Sequence, residues 1–262
     1  MKISNGNVRK ATLAALMAFL VTLVAAACED NGPTEEAAGT SSAPGYLPTA
    51  GDRVVMSIHR FRPDDFETSK RSGIEAFGEA MQASGQTRRT YFLDDADSHV
   101  VVEVSFFHPD SSVDAWMNST ARQQAVDIVA PLYREAVDIQ HLTVENVHDT
   151  PAEASYLPRP GDRVVIFTLR FTEEGYEEGK RVVPEGFGKA MEASGQTRRT
   201  YFTDDPESQT MMTFSFFHPD SATDEWLDHP ERHKVLAVVE PLFREPMDIY
   251  HLEVEAVHDT LN

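Results

Sequence analysis

The sequence predicts an α+β fold: two ferredoxin-like βαββαβ repeats that close into a pseudo-dimeric α+β barrel within one chain. Three observations predict it. First, the chain repeats itself at an offset of 110 residues. Ala83-Ser84-Gly85-Gln86-Thr87-Arg88-Arg89-Thr90-Tyr91-Phe92 returns as Ala193 to Phe202, Ser105 to Ser111 returns as Ser215 to Ser221, and Val147 to Thr150 returns as Val257 to Thr260. Such a unit is domain-sized, far beyond the roughly 20–50 residues of a solenoid turn. Second, each copy reads β-α-β-β-α-β. With right-handed crossovers this places both helices on one face of a four-stranded antiparallel sheet. Third, the strands carry apolar residues on both faces, as Val54, Val55, Met56, Ile58 and Phe61 show. The helix-free face therefore needs cover, and the twin repeat is at hand to supply it.

The elements follow in chain order. Residues 1–27 resemble an export signal: Lys2, Arg9 and Lys10, then apolar Ala11 to Val24, then Ala25-Ala26-Ala27 before the cut. Cys28 is the only cysteine and stands at that cut, as in a bacterial lipoprotein signal, where the cysteine carries the lipid. Leu23 and Ala25 depart from the usual leucine position, so ordinary cleavage is the alternative. A lone cysteine has no disulfide partner, which favours lipidation and an extracytoplasmic, membrane-anchored protein. Residues 28–45 read as a flexible tether, since their acidic and small residues cannot bury a core. Repeat 1 then occupies 46–150, a linker 151–155, and repeat 2 156–262.

Within repeat 1, Asp52 to Phe61 is the first strand. Asp64 to Ala83 repeats apolar residues at helical spacing and ends at Gly85, a C-terminal cap. In repeat 2, Pro184 falls inside the matching stretch, so that helix is expected to kink or start late. Arg88–Leu93 and Val100–Phe107 form a hairpin around Asp94-Asp95-Ala96-Asp97. Asp110 or Ser111 is expected to cap the helix that contains Trp116. Thr120–Tyr133 is a second helical run, and Ile139–Val147 a last strand with strong alternation.

Formal net charge is −20. An acidic surface repels phosphates and anionic headgroups. No nucleic-acid partner is expected, and membrane contact only through the N-terminal lipid anchor. There is no glycine-rich phosphate loop, cysteine cluster or Ser-His-Asp order.

The βαββαβ order, the repeat length, the Gly-Gln-Thr before strand two and the Trp after strand three resemble the dimeric α+β barrel superfamily, in particular its antibiotic-biosynthesis-monooxygenase-like (ABM-like) domains. The resemblance covers residues 50–150 and 160–260. It implies a fused pseudo-dimer where relatives pair separate chains, and a family that includes cofactor-free oxygenases, haem-degrading enzymes and members without assigned activity. The haem-degrading pattern of Asn, Trp and His is met only by Trp116 and Trp226. Val126 and Leu236 stand where the iron-binding His would be, and the first strands hold no Asn. No haem, metal or other cofactor is therefore expected.

Several residues remain as candidates. His108 and His218, in Phe-Phe-His-Pro-Asp-Ser, are candidate general bases, since imidazole titrates near neutral pH; a loop-closing hydrogen bond is the alternative. Arg89 with Tyr91, and Arg199 with Tyr201, share a strand face and suit an oxygenated aromatic ligand; an interface ion pair is the alternative for the arginines. Trp116 and Trp226 are pocket wall or core. His141 and His251 share a face with Thr143 and Glu145, or Glu253 and Glu255. That face reads as a buried polar network at the seam, with Arg60 and Arg170 to balance it, ahead of a metal site. His148 and His258 are expected to be solvated. His229 and His233 have metal-ligand spacing but lack a third ligand. His59 faces Leu169 in the alignment of the copies, so a pocket at His59 would mean that the copies have diverged.

The leading functional reading is a small-molecule-binding barrel that oxygenates a phenolic substrate without a cofactor. Arg89 and Tyr91 would orient the phenolate, His108 would take the proton, and Trp116 would wall the pocket. The competing reading is a non-catalytic envelope module whose pockets are filled by its own side chains.

Overall fold

The computed structural model describes residues 45–109, 112–150, 156–221 and 223–260. The export signal, Cys28, the tether up to residue 44 and the linker 151–155 lie outside them. Repeat 1 contains β1 (Arg53–Arg60), α1 (Phe66–Ser84), β2 (Arg89–Asp95), β3 (Val100–Phe107), α2 (Val113–Met117), α3 (Thr120–Val129) and β4 (Asp138–Asp149). Repeat 2 contains β5 (Arg163–Arg170), α4 (Tyr176–Ser194), β6 (Thr197–Asp205), β7 (Thr210–Phe217), α5 (Thr223–Leu227), α6 (Pro230–Val239) and β8 (Asp248–Asp259). The eight strands form one closed barrel in the order β1-β3-β2-β8-β5-β7-β6-β4, antiparallel throughout. The predicted pseudo-dimeric α+β barrel is present. Closure comes from edges as well as faces: β4 pairs with its own β1 and with β6 of the other repeat, and β8 pairs with β5 and β2. Among the described residues no strand edge is left to recruit another chain.

Alternation along each strand sorts side chains into layers. On β3, Val100, Val102, Val104 and Phe106 point into the barrel, while Val101 and Phe107 meet the helices. Barrel-facing residues of both repeats form one core, and each repeat adds a second core beneath its helices. Helix boundaries have local causes. Gly85 ends α1 at φ +61, a left-handed conformation that favours glycine, and its N–H reaches Met81 O at 3.0 Å.

Two expectations about helix ends are corrected. Ser112 caps α2, accepting from Ala115 N at 3.0 Å; the expected Asp110 and Ser111 lie outside the described residues. Helix α4 neither starts late nor shortens: both long helices span 19 residues, and Pro184 lies inside α4. The buried Phe187, Ala190 and Met191 that follow hold this helix to the sheet against a cost of about 3 kcal/mol for an internal proline.

The inside of the barrel is filled. Tyr91 and Tyr201 are fully buried, and each packs against Phe216 or Phe106 of the opposite repeat, with centroids 5.1 and 4.9 Å apart. Arg89 Nε donates to the Tyr91 hydroxyl at 2.7 Å, and Arg199 Nε does the same to Tyr201. Each guanidinium then makes a bidentate pair with the other repeat: Arg89 with Asp259 at 2.7 and 2.8 Å, Arg199 with Asp149 at 2.7 and 2.9 Å. Their last donors reach backbone carbonyls of the segments that lead into β5 and β1, Pro158 O at 2.9 Å and Pro48 O at 2.8 Å. Those segments share a motif, Tyr46-Leu47-Pro48 to Asp52 and Tyr156-Leu157-Pro158 to Asp162, in which the tyrosine hydroxyl donates to the buried aspartate.

The outer face of β4 and β8 also differs from expectation. Leu142, Val144, Leu252 and Val254 take the barrel side, so His141, Glu145, His251, Glu253 and Glu255 turn outward to exposed positions, with Thr143 beside them. The polar seam is the arginine lattice instead. Glu145 and Glu255 still cross between repeats, to Lys180 at 3.3 Å and Lys70 at 3.2 Å. Arg60 and Arg170 pair with Asp138 and Asp248 at the surface. His148 and His258 are half-buried rather than solvated: their rings lie over Gly188 and Gly78 of the opposite repeat's helix, where a side chain would collide or crowd.

Two outcomes follow. Arg89→Ala leaves Asp259 unpaired and four hydrogen bonds unmade, and loses about 3–5 kcal/mol of stability, read from the midpoint of chemical denaturation. Burial lowers the pKa of His258 below the ordinary 6.5, with the Asp259 charge opposing. Its contribution to stability is thus present above 6.5 and is lost as pH falls toward the folded-state value. The midpoint should drop on acidification from about pH 7.5 to 5, and His258→Phe should flatten that drop.

Candidate functional site

The layer between the sheet and α1 and α3 in repeat 1 carries an unusual set of polar groups. His59 on β1 and Glu103 on β3 are 5% and 3% exposed. Tyr133 follows the turn after α3 and is brought in by an isolated bridge to Phe61. The Tyr133 hydroxyl lies 2.7 Å from His59 Nδ1. His59 Nε2 lies 3.3 Å from Glu103 Oε2, within ion-pair reach but too oblique for a hydrogen bond. Glu103 Oε1 accepts from Ser105 Oγ at 3.0 Å, and Ser105 Oγ is 2.9 Å from Thr90 Oγ1.

Burial raises the pKa of the Tyr133 phenol, the Glu103 charge adds to it, and Arg122 opposes. The phenol therefore keeps its proton and donates it to Nδ1; a ring that accepts there carries its proton on Nε2, toward Glu103. Carboxylate, imidazole and hydroxyl in series make a triad: the carboxylate orients the ring, the ring receives a proton, and the hydroxyl meets whatever enters.

What enters would find apolar walls. His59 and Tyr133 border a small cavity with Phe61, Gly73, Ile74, Phe77, Phe92, Val101 and Lys70. Its volume is about 10 Å³, room for about one water; a ring-sized guest requires half-buried Ile74 and Tyr133 to swing outward. Lys70 does not offer its ammonium to a guest. Burial works against its charge, but hydrogen bonds to Asp94 and Glu67 and a further one to Glu255 hold its pKa above the ordinary value.

Repeat 2 lacks the set. Leu169, Thr213 and Phe243 replace His59, Glu103 and Tyr133, and Thr213 Oγ1 is buried without a partner. Val183, fully buried, replaces Gly73. The aromatic ring beside it has moved one helical turn: a Cβ on Gly73 would come to 3.4 Å from Phe61, whereas in repeat 2 it is Gly179 that Phe171 presses upon, at 2.2 Å. Arg232 lies over Phe167, 5.1 Å from its centroid. One copy keeps a polar pocket and the other is packed shut.

The residues singled out from the sequence do not meet in one site; only the Arg–Tyr pairs come together. Arg89, Tyr91, Arg199 and Tyr201 lie in the barrel, the arginines in interface ion pairs. Trp116 and Trp226 are buried on the other side of the sheet, beneath the helices. His108 and His218 are half-buried where β3 and β7 end. His108 is seven residues from Val101, about 23 Å at about 3.3 Å per residue, so it does not reach the His59 cavity. His59 was singled out only as a test of divergence, and Glu103 and Tyr133 were missed. A position-by-position comparison of the copies would have found them, since Glu103/Thr213 and Tyr133/Phe243 change chemistry as sharply as His59/Leu169. His229 caps α6, accepting from Glu231 N at 3.3 Å. Among the described residues no group of three His, Cys, Asp or Glu is placed to hold a metal ion.

No known family profile matches the chain, and no curated protein matches it. Solved structures match in fold. A candidate monooxygenase from Lactobacillus acidophilus is similar over 81% of this chain and 97% of its own, with TM-score 0.60 and 12% identity. A second candidate monooxygenase, from Fusobacterium nucleatum, covers 80% and 95%, with TM-score 0.62 and 11% identity. An anthrone oxidase-like protein covers 81% and 94%, with TM-score 0.64 and 11% identity. At such identity the likeness is one of fold. It spans both repeats, and the ABM-like dimeric α+β barrel expected from the sequence is the fold this chain has.

If the repeat 1 set exists for function, it weighs on stability. Giving repeat 1 the residues of repeat 2 (His59→Leu, Glu103→Thr and Tyr133→Phe together) should leave stability unchanged or raise it by about 1–4 kcal/mol. Glu103→Thr alone, which strands His59, should lower it. Paired denaturation curves decide this.

Proposed function

We propose that this barrel binds a small, neutral aromatic molecule under the helices of repeat 1 and removes a proton from it at the Tyr133–His59–Glu103 triad. The carbanion so formed reacts with O₂ without a cofactor. The observation that carries this reading is the one-sided triad: duplication made two equal layers, and only one holds a carboxylate, an imidazole and a phenol in line.

For an anthrone-type substrate the steps balance. Tyr133 takes a proton from the acidic CH₂ while passing its own to His59 Nδ1. The carbanion transfers electrons to O₂, the peroxide anion so formed takes back the proton held at His59 through Tyr133, and the hydroperoxide loses water. One oxygen atom ends as the new carbonyl and the other in that water. Phe61, Phe77 and Phe92 supply the apolar wall for a flat ring, and Glu103 stabilises the imidazolium as it forms. The base is thus His59 acting through Tyr133, in place of His108. The fold neighbours' descriptions as monooxygenases and as anthrone oxidase-like support the reaction class. Export and attachment through a lipidated Cys28 remain part of the proposal, on the strength of residues 1–28.

The filled barrel and the packed layer of repeat 2 favour a second reading, a non-catalytic envelope module. Oxygen uptake with anthrone separates the two. Wild type should consume O₂, with one substrate bound per chain. His59→Asn and Tyr133→Phe should lower kcat by at least about a hundredfold, and His108→Ala plus His218→Ala should leave it intact. No uptake by wild type, or equal uptake by His59→Asn, overturns the enzymatic reading.

A further inference from the structure

Resting on that reading, we propose that Gly73 determines which rings the repeat 1 site accepts: it leaves a slot against the bare backbone of α1 for the far edge of a flat, fused aromatic, and Ser69 is the spacer that keeps the slot open. A glycine inside a helix weakens it relative to alanine, so its presence asks for a reason. The usual reasons are a left-handed backbone or a close neighbour. Among the described residues the glycines with positive φ are Gly51, Gly85, Gly161 and Gly195, so the backbone gives none at Gly73. Crowding gives none either. The two long helices hold five glycines. A Cβ would come to 2.4 Å from His258 at Gly78, 2.2 Å from Phe171 at Gly179, 2.9 Å from Val235 at Gly186 and 3.3 Å from His148 at Gly188. At Gly73 it would meet Phe61 at 3.4 Å and Val129 at 3.8 Å, ordinary van der Waals contacts. Alanine therefore fits there in the closed protein. What glycine provides is room, on the buried face of α1 and in the wall of the cavity that His59 and Tyr133 border.

Repeat 2 uses the same two helix positions the other way. Gly179, where repeat 1 has Ser69, lets α4 come down onto Phe171, and Val183, where repeat 1 has Gly73, is fully buried in the layer. Ser69 is buried too. Its Cβ cannot occupy the 2.2 Å separation that bare Gly179 permits, so α1 and Phe61 stand farther apart at this turn than α4 and Phe171 do. One turn on, Gly73 leaves that separation unfilled. Spacer and slot in repeat 1 thus answer to contact and plug in repeat 2. A guest that enters past Ile74 and Tyr133 has Gly73 as part of its wall. One carbon more or less in an apolar pocket changes discrimination by about 10–200-fold.

Anaerobic equilibrium dialysis of anthrone measures binding apart from turnover. Gly73→Ala should raise the midpoint of chemical denaturation and weaken anthrone binding at least about tenfold, while phenol, a single ring that does not reach the slot, binds as it does to wild type. Weaker binding by a more stable protein is not a folding defect. Ser69→Gly should weaken anthrone binding as well, and Ser69→Ala, which keeps the Cβ, should bind as wild type.

Anthrone binding to Gly73→Ala at wild-type strength, or an equal loss for phenol, overturns the slot. A lowered midpoint does so too, since glycine would then be needed for packing. Wild-type binding by Ser69→Gly, or a matching loss in Ser69→Ala, overturns the spacer. Oxygen uptake tests the underlying reading separately. Wild type that binds anthrone and consumes no oxygen loses the oxygenase chemistry and keeps the slot. Uptake by wild type and by Gly73→Ala with the same KM keeps the chemistry and loses the slot. Wild type that binds no anthrone overturns both.

Discussion

The structure depends on a shared interior that neither repeat can complete. Each sheet has an apolar inner face, and at its centre a tyrosine whose hydroxyl needs a partner in a medium with no water. The partner is the arginine two positions earlier on the same strand. Each arginine in turn is neutralised by an aspartate from the opposite repeat. An uncompensated guanidinium at this depth would cost several kcal/mol, and each aromatic pair across the centre adds about 0.5–1.5 kcal/mol beyond its area. Beyond the Arg–Tyr bond within each repeat, the lattice is completed by the twin, so association and folding are one event. Hydrogen bonds here set register and partner, and the apolar faces supply the driving force.

Symmetry of the frame makes the asymmetry of the layers informative. Position by position, the two copies keep the lattice, the Thr–Ser pair, the glycine cap and the lysine that crosses the seam. They part company under the helices, at His59, Gly73, Glu103 and Tyr133. A buried Glu–His pair is weak evidence for stability, because apolar replacements of similar size commonly do as well or better. Repeat 2 shows two apolar replacements, Leu169 and Phe243, at the equivalent positions. Retention of the polar set on one side and its absence on the other is the observation on which the proposed chemistry rests.

Much of this was legible in the sequence, and for physical reasons. Repetition made every element visible twice, so a weak strand such as Arg53–Arg60 could be read against the more apolar Arg163–Arg170. Apolar residues on both strand faces required a barrel rather than an open sheet. The facing of β4 was not legible. His141 and Leu142 alternate, and alternation alone does not say which set points inward; closure through β6 decided it. Pro184 was read by its local cost, which helix packing outweighed. Glu103 was hidden because a charged residue within Val100–Phe107 reads as an ordinary polar position on a strand. Tyr133 lies 74 residues from the imidazole it touches, and only the bridge to Phe61 brings it there. Arg89 and Tyr91 were seen as a pair but placed in a ligand site, since their carboxylate comes from a strand 170 residues away.

The last strand, β8, holds both β2 and β5 and carries the aspartate for Arg89. During synthesis, then, repeat 1 emerges with an open edge and a bare cation, and the ring stays broken until β8 has been made. A barrel lacking Asp248–Asp259 would be without its latch, and loss of part of that strand should do more harm than a much larger change in any surface loop.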